Sequence, residues 1–156
     1  MPIALSQRLR HETSTLHRLA ERSGIMHGLL RGRLDRGEYV ALLRALHHVY
    51  AALEDRLDAT ASFPDVRPFH DRRLHRTAAI AADLTYLHGE GWAHDVRPGP
   101  AAQEYAERVL CATPLQLVAH AYVRYLGDLS GGQALGPVVA RALALRDDDG
   151  TRFYRF

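Results

Sequence analysis

The sequence predicts an all-α fold, built as a single domain of about five or six helices. Apolar residues recur every three or four positions through most of the chain, and no segment alternates apolar and polar residues as a half-buried strand does. No internal repeat or low-complexity tract interrupts this pattern. A chain of 156 residues is long enough for one hydrophobic core without disulfide or metal support. The expected architecture is therefore a helical bundle.

The first half of the chain carries two helix signals. Apolar residues share one stripe from Leu5 to about Glu21, which predicts the first helix. Asp35 and Glu38 have the spacing of a capping box, and an apolar pattern of helical period continues from there to Leu57. The stretch 59–69, which contains two prolines, is then expected to be a connecting loop.

The second half is expected to hold three further helices separated by loops. The predicted helical ranges are about 74–87, 100–110 and 114–145, and the stretch from Trp92 to Pro100 is predicted to be a loop. The first of these helices should end at His88 and Gly89, because glycine commonly follows a helix C-terminus.

Composition and charge exclude several classes of protein. All 20 basic residues are arginine, but 18 acidic residues are interspersed among them, so no nucleic-acid partner is expected. No apolar run has the length of a membrane span, and the N-terminus lacks a signal-peptide core, so no membrane partner is expected either. The single cysteine, Cys111, cannot form an intramolecular disulfide and is expected to be a small buried hydrophobe. These features favour a cytoplasmic protein in a reducing compartment.

Three glycines interrupt the last predicted helix. An interior glycine costs about 1 kcal/mol relative to alanine, so Gly127, Gly131 and Gly132 together cost roughly 3 kcal/mol. Gly127 and Gly131 are four residues apart and share a face, and a strip without Cβ atoms lets a flat ligand approach closely. Tight packing against another helix would explain such a pair equally well.

The glycines belong to a stretch that resembles the signature of the haem oxygenase family. The matching residues are Tyr122 and the run Arg124-Tyr125-Leu126-Gly127-Asp128-Leu129-Ser130-Gly131-Gly132-Gln133. In that family the run forms a kinked distal helix whose glycine backbone lies against one face of the haem. The resemblance therefore implies that Gly127, Gly131 and Tyr122 contact haem. It also implies that Asp128 is the carboxylate that organises a water chain to O2.

The first predicted helix resembles the family's proximal segment through Leu16-His17-Arg18-Leu19-Ala20-Glu21. The resemblance makes His17 the ligand of the haem iron, with haem sandwiched between this helix and the distal one. On an ideal helix His17 lies at the edge of the apolar stripe, although a histidine there is more often a satisfied boundary residue. Glu21 is within reach of the other imidazole nitrogen, and Arg10, two turns before His17, suits a propionate.

The second predicted helix also resembles the family, around Leu46-His47-His48-Val49-Tyr50-Ala51-Ala52-Leu53-Glu54. The tyrosine that matches Tyr50 belongs to the distal hydrogen-bond network, where it would hold ordered waters together with Arg124 and Asp128. Tyr50 also lies on the apolar face, so packing in the core is an equal alternative.

The resemblance implies an enzyme that opens haem with O2 to give biliverdin, CO and ferrous iron. Haem is then both substrate and cofactor, and attack at the α-meso carbon is favoured. Electrons are expected from a separate reductase, ferredoxin or flavodoxin, because the sequence has no dinucleotide or flavin motif. These products fit either iron acquisition or the supply of bilin chromophores. Two other classes stay open: a haem carrier or sensor that does not turn over, and a helical interaction module that binds no haem.

Two further expectations concern the whole chain. Family members usually continue with further helices beyond the point that matches 153–156, so we expect a C-terminally short single domain over 1–156, as a monomer or weak dimer. The ten histidines include no pair with His-x-x-x-His spacing, which would put two ligands on one helical face. No metal site apart from His17 is therefore predicted.

Overall fold

The computed structural model describes residues 4–22 and 24–156, and no residue in these ranges lies in a β-strand. The all-α prediction is confirmed. The α-helices of the described ranges are α1 Leu5–Glu21, α2 Gly24–Leu30, α3 Arg36–Ala59, α4 Thr77–His88, α5 Trp92–Asp95, α6 Pro100–Leu110, α7 Pro114–Ala121 and α8 Gln133–Ala142. Two π-helical segments, Tyr122–Leu126 and Asp128–Gly132, connect α7 to α8. Single 3-10 turns lie at Arg67–Phe69, Arg72–Leu74 and Arg152–Tyr154.

Most helix boundaries follow the local sequence signals. The Asp35 carboxylate accepts a hydrogen bond from the Glu38 N–H at 2.8 Å, and the Glu38 carboxylate accepts one from the Asp35 N–H at 3.0 Å. This capping box satisfies two of the free N–H groups at the start of α3, as its spacing predicts. The helix predicted from position 74 begins only at Thr77, because the residues before it form a 3-10 turn.

Two short helices were not predicted from the sequence. The helix α2 has seven residues, and α5 has four and lies within the stretch predicted to be a loop. Segments of one or two turns show too little of the 3.6-residue period to be distinguished from a loop.

The long helix α3 is the centre of the core. It packs against α4, α6 and α7, and it contributes nine buried residues. Its largest fully buried side chains are Tyr39, Leu43, Tyr50, Leu53 and Leu57. Full burial of one such leucine contributes about 1.5–3 kcal/mol, so this face of α3 is a main source of stability.

The segment after α8 folds back onto the core, where Asp83 of α4 holds it. The Asp83 carboxylate accepts hydrogen bonds from the N–H groups of Arg152 at 2.9 Å and Phe153 at 2.8 Å. Burial raises the pKa of this carboxyl group to about 6, although the two backbone donors oppose the increase. Gly150, which precedes these residues, has a φ of +83°, a conformation that favours glycine. No role in the fold was predicted for Phe153 and Tyr154 from the sequence, yet both side chains are buried.

One expectation about burial is wrong: Cys111, expected to be a small buried hydrophobe, is exposed at the end of α6. Leu16, on the predicted apolar stripe of α1, is also 69% exposed, and Leu19 of the same helix is 60% exposed. Among the described residues, no helix is both long and apolar enough to cross a bilayer.

We expect Asp83→Ala to lower the free energy of unfolding by about 2 kcal/mol or more, because two buried N–H groups lose their acceptor. Urea denaturation followed by circular dichroism measures this change. Asp65→Ala is the matched control, since Asp65 is exposed. Equal losses in the two variants would show that Asp83 does not hold the C-terminal segment.

Candidate functional site

Three of the predicted site residues meet in one hydrogen-bonded cluster between α3 and the π-helical segments. The Tyr50 hydroxyl donates to Oδ2 of Asp128, and Nη2 of Arg124 donates to the same oxygen at 2.9 Å. Tyr50 is fully buried, while the side chains of Arg124 and Asp128 are 25% and 19% exposed. Oδ1 of Asp128 takes part in neither bond. The carboxylate is therefore held in place through one oxygen, and the other is left for a further donor.

The electrostatics of the cluster favour a neutral Tyr50 and a charged Arg124. Burial raises the pKa of the Tyr50 hydroxyl, so the phenol stays protonated and remains a donor. Burial disfavours the charge on Arg124, but Asp128 and Tyr50 outweigh this effect and raise its pKa. The guanidinium carbon of Arg124 also lies 5.4 Å from the centre of the Tyr50 ring. Arg124 is thus a permanent positive charge beside the Asp128 carboxylate.

The helix that carries Arg124 and Asp128 is not a regular α-helix. Its backbone widens into π turns over Tyr122–Leu126 and Asp128–Gly132, and such turns occur frequently at functional sites. The Ser130 hydroxyl donates to the Leu126 carbonyl oxygen at 2.6 Å, a contact of the kind that often bends helices. The sequence resemblance implies a kink in this stretch, and the helix departs from α-helical geometry at the same place.

The glycines of this stretch fall into two groups that face different surroundings. A Cβ atom added to Gly127 or Gly131 would meet no atom within 4 Å in the described part of the chain outside its own helical turn. A Cβ atom on Gly132 would lie 3.0 Å from the Tyr154 ring, and one on Gly136 would lie 3.3 Å from the Tyr154 Cβ atom. Tight packing, the alternative explanation for Gly127 and Gly131, therefore does not occur at this pair within the described part of the chain. Gly132 and Gly136 allow close packing, whereas Gly127 and Gly131 form an open strip.

Apolar side chains stand exposed next to this open strip. Tyr122 is 46% exposed, Val123 58% and Leu126 46%, although all three belong to an otherwise packed helical segment. A contiguous exposed apolar patch is typical of a binding site. The open strip and these side chains together suit a flat, largely apolar ligand.

The predicted proximal residues lie on α1. Nδ1 of His17 is 3.4 Å from Oε1 of Glu21, and the two side chains are 73% and 46% exposed. This pairing leaves Nε2 of His17 as the nitrogen for a metal ligand bond. Arg10 is exposed on the same helix, seven residues before His17. The contact between His17 and Glu21 agrees with the sequence-based expectation.

Three side chains that could ligate a metal ion lie together at a place that was not predicted from spacing along a single helix. One donor atom from each of Asp58, His70 and His75 lies within 4.8 Å of the others. The expectation of no separate cluster considered only pairs on one helical face. Here the loop between α3 and α4 folds back and joins residues 12 and 17 positions apart from Asp58.

Comparisons with known proteins give one consistent result. The protein-family model described as "Heme oxygenase" matches residues 3–156. The heme oxygenase of Pyropia yezoensis is 38% identical over 155 residues, which cover 97% of this chain and 65% of the relative. Heme oxygenase 2 of Synechocystis is also 38% identical, over 97% of this chain and 62% of the relative. The chain thus spans about two thirds of the length of these relatives.

Solved structures agree with this result. The crystal structure of heme oxygenase-2 from Synechocystis sp. PCC 6803 in complex with heme and NO superimposes with a TM-score of 0.92 and 38% identity. That match covers 99% of this chain and 64% of that chain. Heme oxygenase from Leptospira interrogans matches with a TM-score of 0.90 and 36% identity, over 99% of this chain and 77% of that one.

We expect opposite effects on stability from alanine at two adjacent glycines. Gly131→Ala should raise the free energy of unfolding by about 0.5–1 kcal/mol, because the methyl group enters open space and alanine favours a helix. Gly132→Ala should lower it, because the methyl group meets the buried Tyr154 ring. Urea denaturation of both variants tests this expectation, and a loss of stability in Gly131→Ala would contradict the open strip.

Proposed function

This chain belongs to the haem oxygenase family, and on that premise we propose that it cleaves haem with O2 and reducing equivalents to biliverdin, CO and ferrous iron. The observation that carries the proposal is the buried cluster of Tyr50, Arg124 and Asp128 next to the open strip at Gly127 and Gly131. The Asp128 carboxylate is held through Oδ2 beside the open strip at Gly127 and Gly131, so it can direct water towards a flat ligand on that strip.

The open strip and its apolar neighbours support haem as the ligand. The absence of Cβ atoms at Gly127 and Gly131 would let the helix backbone approach the ring, while Tyr122 and Leu126 offer apolar and aromatic contacts. When bound, haem supplies both the iron at which O2 reacts and the ring that is opened. The related Synechocystis protein was crystallised with heme and NO, which also supports this assignment.

His17 would hold the iron through Nε2. The Glu21 carboxylate lies beside Nδ1 and would keep the proton on that nitrogen, which fixes the tautomer and orients the ring. Arg10 would pair with a propionate, since an exposed guanidinium binds a carboxylate through two parallel hydrogen bonds.

Asp128 would position water for proton delivery. Tyr50 and Arg124 both bond to Oδ2, so Oδ1 is left to accept a hydrogen bond from a water molecule. Nη2 of Arg124 donates to Oδ2, so its positive charge lies beside the carboxylate that would accept from the water molecule. A water molecule held in this way points its other proton away from Asp128, towards the ligand surface of the glycine strip.

The remaining parts of the proposal concern the surroundings of the enzyme. Electrons would come from a separate reductase, ferredoxin or flavodoxin, because the sequence has no dinucleotide or flavin motif of its own. Release of iron fits a role in iron acquisition, and release of biliverdin fits the supply of bilin chromophores. A cytoplasmic location agrees with the single cysteine, which cannot form an intramolecular disulfide, and the chain would act as a monomer or weak dimer.

We expect added haemin to bind to the purified chain and to be consumed once ascorbate, or ferredoxin with its reductase, is supplied. The visible spectrum should show a Soret band for the histidine-ligated complex, followed by its decay and the appearance of biliverdin. Binding without decay would indicate a haem carrier or sensor instead. No binding at all would contradict both interpretations and leave an interaction module.

We expect Asp128→Asn to lower biliverdin formation by at least about tenfold, because the neutral amide holds water less strongly and donates where a carboxylate accepts. Haem affinity should stay within about twofold, since Asp128 acts through water. Asp55→Asn, at an exposed position on α3, is the matched control. Undiminished biliverdin formation in Asp128→Asn would exclude the proposed role.

A further inference from the structure

A second group of polar side chains lies away from the glycine strip, where α3 ends. Asp58 stands on the last turn of α3, His70 follows the 3-10 turn Arg67–Phe69, and His75 lies two residues before α4. Nε2 of His70 is 2.6 Å from Oδ1 of Asp58, and Nε2 of His75 is 3.8 Å from the same oxygen. Two imidazole nitrogens and one carboxylate oxygen therefore converge on one point.

One nitrogen of the His75 ring faces a carboxylate, and the other is buried without a partner. Its Nδ1 lies 3.8 Å from Oε2 of Glu54, beyond hydrogen-bond distance, while Glu54 is itself fixed by the Arg76 N–H at 2.5 Å. Its Nε2 is buried and has no hydrogen-bond partner within the described part of the chain. A small approach of Glu54 would let it accept from the Nδ1–H group and leave the lone pair of Nε2 for a metal. A buried nitrogen without a partner is costly unless something binds it.

Both oxygens of the Asp58 carboxylate contact Arg72, but unequally. Oδ2 accepts from Nη2 of Arg72 at 2.6 Å, whereas Oδ1 faces both histidines and also accepts from Nε of Arg72 at 3.3 Å. The Arg72 side chain is 73% exposed, so its charge is screened by solvent. A small rotation of Arg72 that breaks the longer bond would keep Oδ2 held and free Oδ1 as a ligand.

We propose that Asp58, His70 and His75 bind one divalent transition metal ion, with Zn²⁺ as the ion that this ligand set suits best. Ligand atoms about 2.0–2.2 Å from a tetrahedral ion lie about 3.3–3.5 Å from one another. The separations of 2.6 Å and 3.8 Å from Asp58 Oδ1 lie on either side of this value, and all three donor atoms lie within 4.8 Å of one another, so side-chain rotations would bring them to it. Two histidines and one carboxylate leave a fourth position for water.

The proposed site would tie the loop between α3 and α4 to the end of α3. The loop residues His70 and His75 follow Asp58 by 12 and 17 positions, so one ion closes the whole connection. The same loop leads directly into α4, whose Asp83 holds the C-terminal segment. The test of this site is zinc binding by the haem-free chain, so it does not depend on the proposed haem chemistry.

The test is titration of the haem-free full chain with zinc chloride, followed by calorimetry and by competition with a chromogenic zinc indicator. We expect one equivalent to bind, with an increase in Tm. His70→Gln and Asp58→Asn should each weaken zinc binding by at least about tenfold and abolish the increase in Tm. His94→Gln is the matched control, because His94 forms an exposed pair with Asp95 at 3.2 Å.

A parallel titration of His17→Ala separates this site from the exposed imidazole on α1. Unchanged zinc affinity in His17→Ala and His94→Gln, with loss in His70→Gln, supports the proposal. Equal affinity in all variants, binding lost only in His17→Ala, or no binding of zinc would overturn it and leave Asp58 and His70 as an ion pair.

Discussion

The hydrogen bonding of the partly buried Asp128 carboxylate is the interaction on which the candidate site depends. Its hydrogen bond from Tyr50 joins the middle of α3, the most buried helix, to the π-helical connection between α7 and α8. A charged group at this depth is tolerated because Arg124, one turn before it, supplies the opposite charge and a second hydrogen bond. Loss of either donor would leave a partly buried charge with fewer partners, which is costly in stability as well as in function.

The same interaction explains why the glycine stretch is irregular yet well held. Asp128 anchors one side of the helix to Tyr50, and Tyr154 packs against Gly132 and Gly136 on another side. The remaining face, with Gly127 and Gly131, has no contact of its own within the described residues and is free for a ligand. A regular helix made of ordinary residues could not offer such a face, because its Cβ atoms would cover the backbone.

The C-terminal segment packs against Tyr50 and against the glycine stretch. Phe153 packs edge-on against the Tyr50 ring with ring centres 5.9 Å apart, and Tyr154 fills the space beside the packed glycines. Both residues are positioned by the two hydrogen bonds that Asp83 accepts. A carboxylate on α4 thereby fixes aromatic side chains that back the candidate site, although none of these residues belongs to the open strip.

Local sequence determined the helices and most of the site residues, because helix periods, the Asp35 capping box and the glycine signature are all short-range patterns. The partnership of Tyr50 with Asp128 followed only from the family resemblance, since the two residues lie 78 positions apart. Tertiary structure alone decided three things. It divided the glycines into open and packed pairs, buried Phe153 and Tyr154 against Asp83, and brought His70 and His75 to Asp58. Each depends on where the loops fold back, and a loop carries no periodic signal from which its path could be predicted.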